Sequence, residues 1–173
     1  LSRHPRLIIT SISGYGQEGP LRGLPGHDLG YVGLTGALSL AARHGGAPDP
    51  LPLQVADMAG GAFLAALRIA AALYERERSG RGAWLDVSMC EGVLAMVAPM
   101  AAAAAAGERA QPGAEALTGG LPVYRCYPCR DGGVVAVAAL EPRFQAAMVA
   151  AIGEELPEGE AGMAALFARR DRD

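Results

Sequence analysis

Apolar positions along this chain follow two rhythms. Leu7-Ile8-Ile9-Thr10-Ser11-Ile12 is a short β-rich run bounded by turn formers and reads as a buried strand. Over Val55–Ser79, Phe63, Leu64, Leu67, Ala70, Ala71 and Tyr74 recur at helical spacing. Asp57 stands near the start of that helix, Arg76 and Arg78 fall in its last turn, and Gly80 supplies the stop. Trp84-Leu85-Asp86-Val87 is a second strand candidate, and Cys90–Ala106 a second helix with a kink expected at Pro99. Val123–Tyr127 and Val134–Ala138 read as two strands joined at Asp131-Gly132-Gly133. Glu141-Pro142 opens a helix with Phe144, Met148 and Ile152 on one face.

Between the first strand and the long helix the pattern breaks down. Glycine occupies positions 14, 16, 19, 23, 26, 30, 33 and 36, which denies a stable helix over most of the segment. Only Tyr31–Leu40 is left for a short one, and a polar loop, Arg43–Pro52, follows. Such a backbone suits close wrapping around a ligand or another chain. The order of elements predicts an α/β piece over residues 1–107, a linker over 108–120 and a small α+β piece over 121–173.

Composition narrows the function. The 173 residues carry 15 basic and 18 acidic side chains, a net charge of −3, which gives no electrostatic footprint for nucleic acid or an anionic membrane. Every basic residue other than histidine is arginine, so P-loop and Schiff-base lysine chemistry is excluded. Asparagine is absent as well, and with it any N-glycosylation sequon. Three cysteines do not make a disulfide scaffold. The longest apolar run, Val93–Ala106, is 14 residues and falls short of the roughly 20 that span a bilayer. No signal peptide is read at the N-terminus. The expectation is a soluble cytoplasmic protein. The ends, Leu1 and the charged string Ala168–Asp173, read as cut points within something longer.

Gly14-Tyr15-Gly16-Gln17-Glu18-Gly19 matches the dinucleotide fingerprint G-x-G-x-x-G. A true fingerprint opens a helix so that the helix N-terminus meets the pyrophosphate, whereas Pro20, Gly23, Pro25 and Gly26 follow here. Cys126-Tyr127-Pro128-Cys129 matches C-x-x-C but has no second ligand pair for zinc and lies in a predicted hairpin, not at a helix start. It reads as two small strand-end residues. His27 lies in the glycine-rich loop, where a purely structural histidine is unusual. Asp57 admits two readings, a plain helix N-cap or a carboxylate set in a site and supported by the helix dipole. Glu141 is open in the same way.

Several blocks together resemble the family III CoA transferases, the CaiB/BaiF family. They are Pro5-Arg6-Leu7-Ile8, Ser13-Gly14-Tyr15-Gly16-Gln17-Glu18-Gly19-Pro20, Ala56-Asp57-Met58-Ala59-Gly60-Gly61, Arg78-Ser79-Gly80-Arg81-Gly82, Gly119-Gly120-Leu121-Pro122-Val123-Tyr124 and Leu140-Glu141-Pro142-Arg143-Phe144. They occur in family order from Pro5 to about Gly153. Gly26-His27-Asp28-Leu29-Gly30-Tyr31 is similar to the α-methylacyl-CoA racemase branch.

The resemblance implies part of a Rossmann-like large domain followed by a small domain. It further implies an acyl-CoA substrate, no cofactor beyond the substrate's own CoA, and an interlocked homodimer. It assigns His27 and Asp57 as the two proton carriers flanking the α-carbon, and Glu141 as the group that sets the state of the histidine. Gly26–Tyr31 becomes a segment touching CoA. In the transferase branch the aspartate is instead a nucleophile. That branch generally lacks the histidine, and Gly119-Gly120 only partly matches its mobile loop. Family members also carry N- and C-terminal parts, including CoA-gripping basic residues, that lie outside these residues. An inactive fragment is therefore a third reading, which CoA-binding calorimetry addresses.

Overall fold

The computed structural model describes residues 2–42, 46–108 and 111–173. The stretches 43–45 of the polar loop and 109–110 of the linker lie outside the described residues. Residues 2–42 and 47–108 form one compact unit; residue 46 and residues 111–173 form another.

In the first unit, β1 (Ile9–Ser13) pairs in parallel with β2 (Trp84–Ser88), from Ile9 opposite Trp84 to Ser13 opposite Ser88. A parallel pair needs a crossover connection, and helices supply it. After the glycine-rich loop come α1 (Asp28–Leu34) and α2 (Ala37–Leu40). The helix read over Val55–Ser79 is present, but it opens as a π-helix, Val55–Phe63, before continuing as α3 (Leu64–Ser79). π-helical turns are rare and recur at functional sites. Gly80 ends α3 in the left-handed region at φ 71°, its N–H bonded to the Arg76 carbonyl at 2.9 Å.

β2 leads directly into α4 (Met89–Met96), whose N-cap Ser88 accepts from the Glu91 N–H at 3.2 Å. The predicted kink at Pro99 is a full break. The chain turns at Val97, and α5 (Ala98–Ala105) starts afresh with proline in its first turn, where no N–H is needed.

The core of this unit joins Tyr31, Val32, Ala56 and Val93, flanked by Tyr15, Leu38, Leu51, Val55 and Met89. Glycine makes two close approaches here. A methyl group on Gly60 would stand 2.5 Å from the Met89 carbonyl oxygen, so the π-helix and α4 meet backbone to backbone at Gly60 and Gly92. A methyl group on Gly14 or Gly26 would lie 2.5 or 2.6 Å from the Tyr31 ring. That ring is therefore wedged between the two glycines, with Tyr15 edge-on at 5.1 Å.

The sequence reading placed the longest apolar run at Val93–Ala106, too short for a bilayer. The 25-residue helix Val55–Ser79 contains an 18-residue window of mean hydropathy 1.5 and is long and apolar enough to cross one by length and composition. Asp57 and Arg68 interrupt it, so it does not register as a continuous run. Ala56, Gly60, Gly61 and Ala65 of this helix are buried in the unit, whereas Phe63, Leu67 and Tyr74, on the apolar face read from the sequence, are exposed.

In the second unit, β3 (Tyr124–Pro128) and β4 (Val134–Ala138) form the expected antiparallel hairpin, with Tyr124 opposite Ala138 and Pro128 opposite Val134. Its connection carries Gly132 at φ 80°, and the Asp131 carboxylate accepts from the Gly133 N–H at 2.9 Å. The turn Ala116–Gly120 packs against β3. α6 (Pro142–Ile152) is capped by Gly153 at φ 79°. A further helix, α7 (Gly159–Ala168), was not legible in the sequence. It contributes Met163, Leu166 and Phe167 to a core with Tyr127, Cys129, Val137 and Ala139. The Tyr127 and Phe167 rings stack at 5.2 Å, and the Tyr127 hydroxyl donates to the Pro122 carbonyl at 2.7 Å.

Candidate active site

The glycine-rich loop does not open a helix: from Gly14 the chain runs irregularly until Asp28. His27 is the last extended residue before α1, at φ −133° and ψ 166°. Its carbonyl accepts from the Gly30 and Tyr31 N–H groups at 2.9 and 3.2 Å. Its imidazole caps nothing and is exposed. It faces a cavity of 290 Å³, lined also by Asp28, Leu29, Val32, Leu38, Pro50, Leu51, Gln54 and Asp57.

Asp57 enters that cavity from the first turn of the π-helix. The plain N-cap reading of its side chain does not hold, because the N-cap is Gln54, which makes no side-chain capping bond. The backbone N–H of Asp57 is instead capped from a different segment, by Asp28 Oδ1 at 2.9 Å. Among the described residues no hydrogen bond or ion pair engages the Asp57 carboxylate, which is exposed. The positive end of the helix dipole at this first turn favours negative charge at the mouth.

Beneath the cavity, burial pushes the Tyr31 phenol above its ordinary range, and the nearby Tyr15, Asp57 and Cys90 push in the same direction. The phenol thus keeps its proton. Burial, with Glu91, also raises the Cys90 thiol, which donates weakly to the Tyr31 carbonyl at 3.9 Å and is not poised as a thiolate.

The structure therefore brings His27, Asp28 and Asp57 to one cavity. Within the segment assigned to CoA, Gly26, His27, Leu29 and Gly30 are exposed, Asp28 is half-buried and Tyr31 is buried. Glu141 belongs to the second unit, at the N-cap of α6, where its carbonyl accepts from Phe144 and Gln145 and its side chain makes no capping bond. Gln54 and Leu51 line the cavity without having been singled out in the sequence. The local signal for Gln54 is its place one residue ahead of the helix. Cys126 lies exposed in β3 and Cys129 buried just beyond it, both as free thiols; no metal-binding group occurs among the described residues.

A parallel α/β unit with a histidine and an aspartate on one cavity, followed by a hairpin–helix unit, has a counterpart among known proteins. A family model for CoA-transferase family III matches residues 1–172, and the chain belongs to that family. Within it, the chain is 40% identical to the alpha-methylacyl-CoA racemase of Mus musculus over 161 residues, 91% of this chain and 42% of the relative. It is 42% identical to the acetyl-CoA:oxalate CoA-transferase of Acetobacter aceti over 99 residues, 54% of this chain and 24% of that one. A solved CAIB/BAIF family protein from Brucella suis superimposes with a TM-score of 0.72 at 24% identity, covering 94% of this chain and 45% of its own. The fold is that of the CaiB/BaiF family. The chain spans less than half the length of these relatives.

Proposed function

We propose that the protein racemises 2-methyl-branched acyl-CoA thioesters by proton transfer at the α-carbon between His27 and Asp57. The observation that carries this reading is that the two side chains, 30 residues apart, line one cavity with the Asp57 carboxylate unengaged. One group takes the α-proton, and the electron pair moves onto the thioester oxygen as an enolate. The other group returns a proton to the opposite face of the planar intermediate, and each turnover leaves the two groups with exchanged protonation. Racemisation without an electron sink needs such a pair together with donors for the enolate oxygen. The positive end of the π-helix dipole favours the enolate's negative charge at the cavity. Glu141 keeps the role the resemblance gives it, setting the state of the histidine, and E141Q tests that assignment. The site-bearing unit works as part of an acyl-CoA enzyme, for which we expect a homodimer.

The test is α-proton exchange. Full-length protein is incubated with (S)-2-methylacyl-CoA in deuterated buffer, and the α-position is followed by NMR. Deuterium entry with loss of stereochemical purity, abolished or severely reduced in H27A and D57N, is the expected result. The match to an oxalate CoA-transferase favours a second reading, with Asp57 as a nucleophile forming an acyl anhydride. CoA transfer to an added carboxylate without α-exchange, and hydroxylamine modification of Asp57, would establish it in place of the first.

A further inference from the structure

We propose that Asp28 is a positioning residue whose carboxylate, by accepting the Asp57 backbone N–H, fixes the separation of His27 and Asp57. The inference rests on the proton-transfer reading given above.

The argument begins with the helix start. The first N–H groups of a helix have no partner within it and are normally satisfied by a side chain just upstream. Gln54 holds that place and makes no such bond. The bond comes instead from Asp28, 29 residues earlier, at 2.9 Å. A carboxylate is the strongest acceptor available for an N–H at the positive end of a helix dipole.

The two ends of this bond decide what it does. Asp28 is joined by one peptide unit to His27, and the donated N–H belongs to Asp57 itself. From His27 to Asp57 the path is therefore one peptide link, the short Asp28 side chain and one hydrogen bond. Both supports are anchored. α1 is held by Tyr31, wedged between Gly14 and Gly26, and by the fully buried Val32. The π-helix is held by the fully buried Ala56 and by its backbone contact with α4 at Gly60. Among the described residues, the other contacts between these two elements are apolar, and such contacts do not fix a separation along the cavity mouth. The hydrogen bond supplies that direction.

The experiment compares D28A, D28S and D28N in the full-length protein, by α-proton exchange and by amide hydrogen exchange at Asp57. Asparagine retains an acceptor oxygen of the same reach; serine is too short to span the gap and stands in should D28A fail to fold. Displacing a reacting group by about 1 Å can cost on the order of 100-fold in rate. We therefore expect kcat in D28A or D28S to fall by roughly 10- to 100-fold with KM within about threefold. D28N should recover most of that loss. Amide exchange at Asp57 should quicken in D28A and D28S but not in D28N. A D28N enzyme as impaired as D28A would overturn the proposal in favour of a role for the charge or the proton of Asp28. An unchanged kcat in D28A, or a loss confined to KM, would overturn it too. If the wild-type protein gives no α-exchange, the proton-transfer reading itself fails and the positioning role falls with it, while the amide result still reports whether the hydrogen bond exists.

Discussion

The two units of this chain solve opposite problems with the same small repertoire of apolar residues. The C-terminal unit buries whole side chains. Tyr127, Met163 and Leu166 are almost fully enclosed, and its cavity of 410 Å³ is walled by Val135, Val137, Phe144, Met148 and Phe167. The N-terminal unit buries the smaller Val32, Val87 and Val93 and adds close glycine approaches, Gly60 against the Met89 and Gly92 backbone and Gly14 and Gly26 against the Tyr31 ring. Its cavity has His27, Asp28, Gln54 and Asp57 on the wall. Packing by side chains gives cohesion. Close backbone approach gives a fixed frame on which short polar side chains can be held at set distances, and that is where the proposed site lies.

The largest effect expected from breaking this contrast is on activity. H27A or D57N in the N-terminal unit should reduce α-proton exchange by about 100- to 10,000-fold, the range that a general acid or base contributes, read by NMR in deuterated buffer. Stability should respond most in the other unit. Leu166→Ala removes a side chain only 1% exposed, and a loss of about 3 kcal/mol is expected in denaturant titration.

Gly60→Ala sharpens the comparison, because it adds one methyl group where two helix backbones touch. Here it forces the π-helix away from α4, with an expected cost of about 1–3 kcal/mol. It should also lower kcat by moving Asp57, whereas Leu166→Ala, where it stays folded, should not.

The smallest effect concerns the surface of the second unit. Glu154 is paired with Arg170 and Arg169, whose hydrogen bonds hold its carboxyl below the ordinary glutamate range. A carboxyl lowered in the folded state adds stability that is present above its unfolded value, about 4.3, and is lost as the pH falls through the lower folded value. The melting temperature of E154Q should therefore converge on that of the wild type in acid, and the difference at neutral pH should shrink with salt.

Elements whose signal is local were legible in the sequence. β1, β2, the hairpin at Asp131-Gly132-Gly133 and the helix ending at Gly80 all follow from periodicity and turn chemistry, although β1, read as a buried strand, has Ile9 and Ile12 exposed. α7 was missed although Met163, Leu166 and Phe167 have helical spacing, because Pro157, Gly159 and Gly162 surround them with breakers. The π-register of Val55–Phe63 leaves no mark on the apolar pattern; it accompanies a contact with α4, whose partners lie some 30 residues away. His27 and Asp57 stood out by residue type and family resemblance. What joins them, the Asp28 carboxylate on the Asp57 N–H, is a long-range hydrogen bond between two loop ends, and no local rule predicts its partner.

The wedge formed by Gly14, Tyr31 and Gly26 has a consequence for anyone transplanting or diversifying this site. Those three positions form one unit of inheritance. A library that varies either glycine against a fixed tyrosine consists mostly of collisions, since even alanine would intrude on the ring. One that shrinks the ring alone opens a void against the glycine-rich loop. Productive variants must change ring and glycine together, and the fitness of each substitution is defined only in the company of the other two.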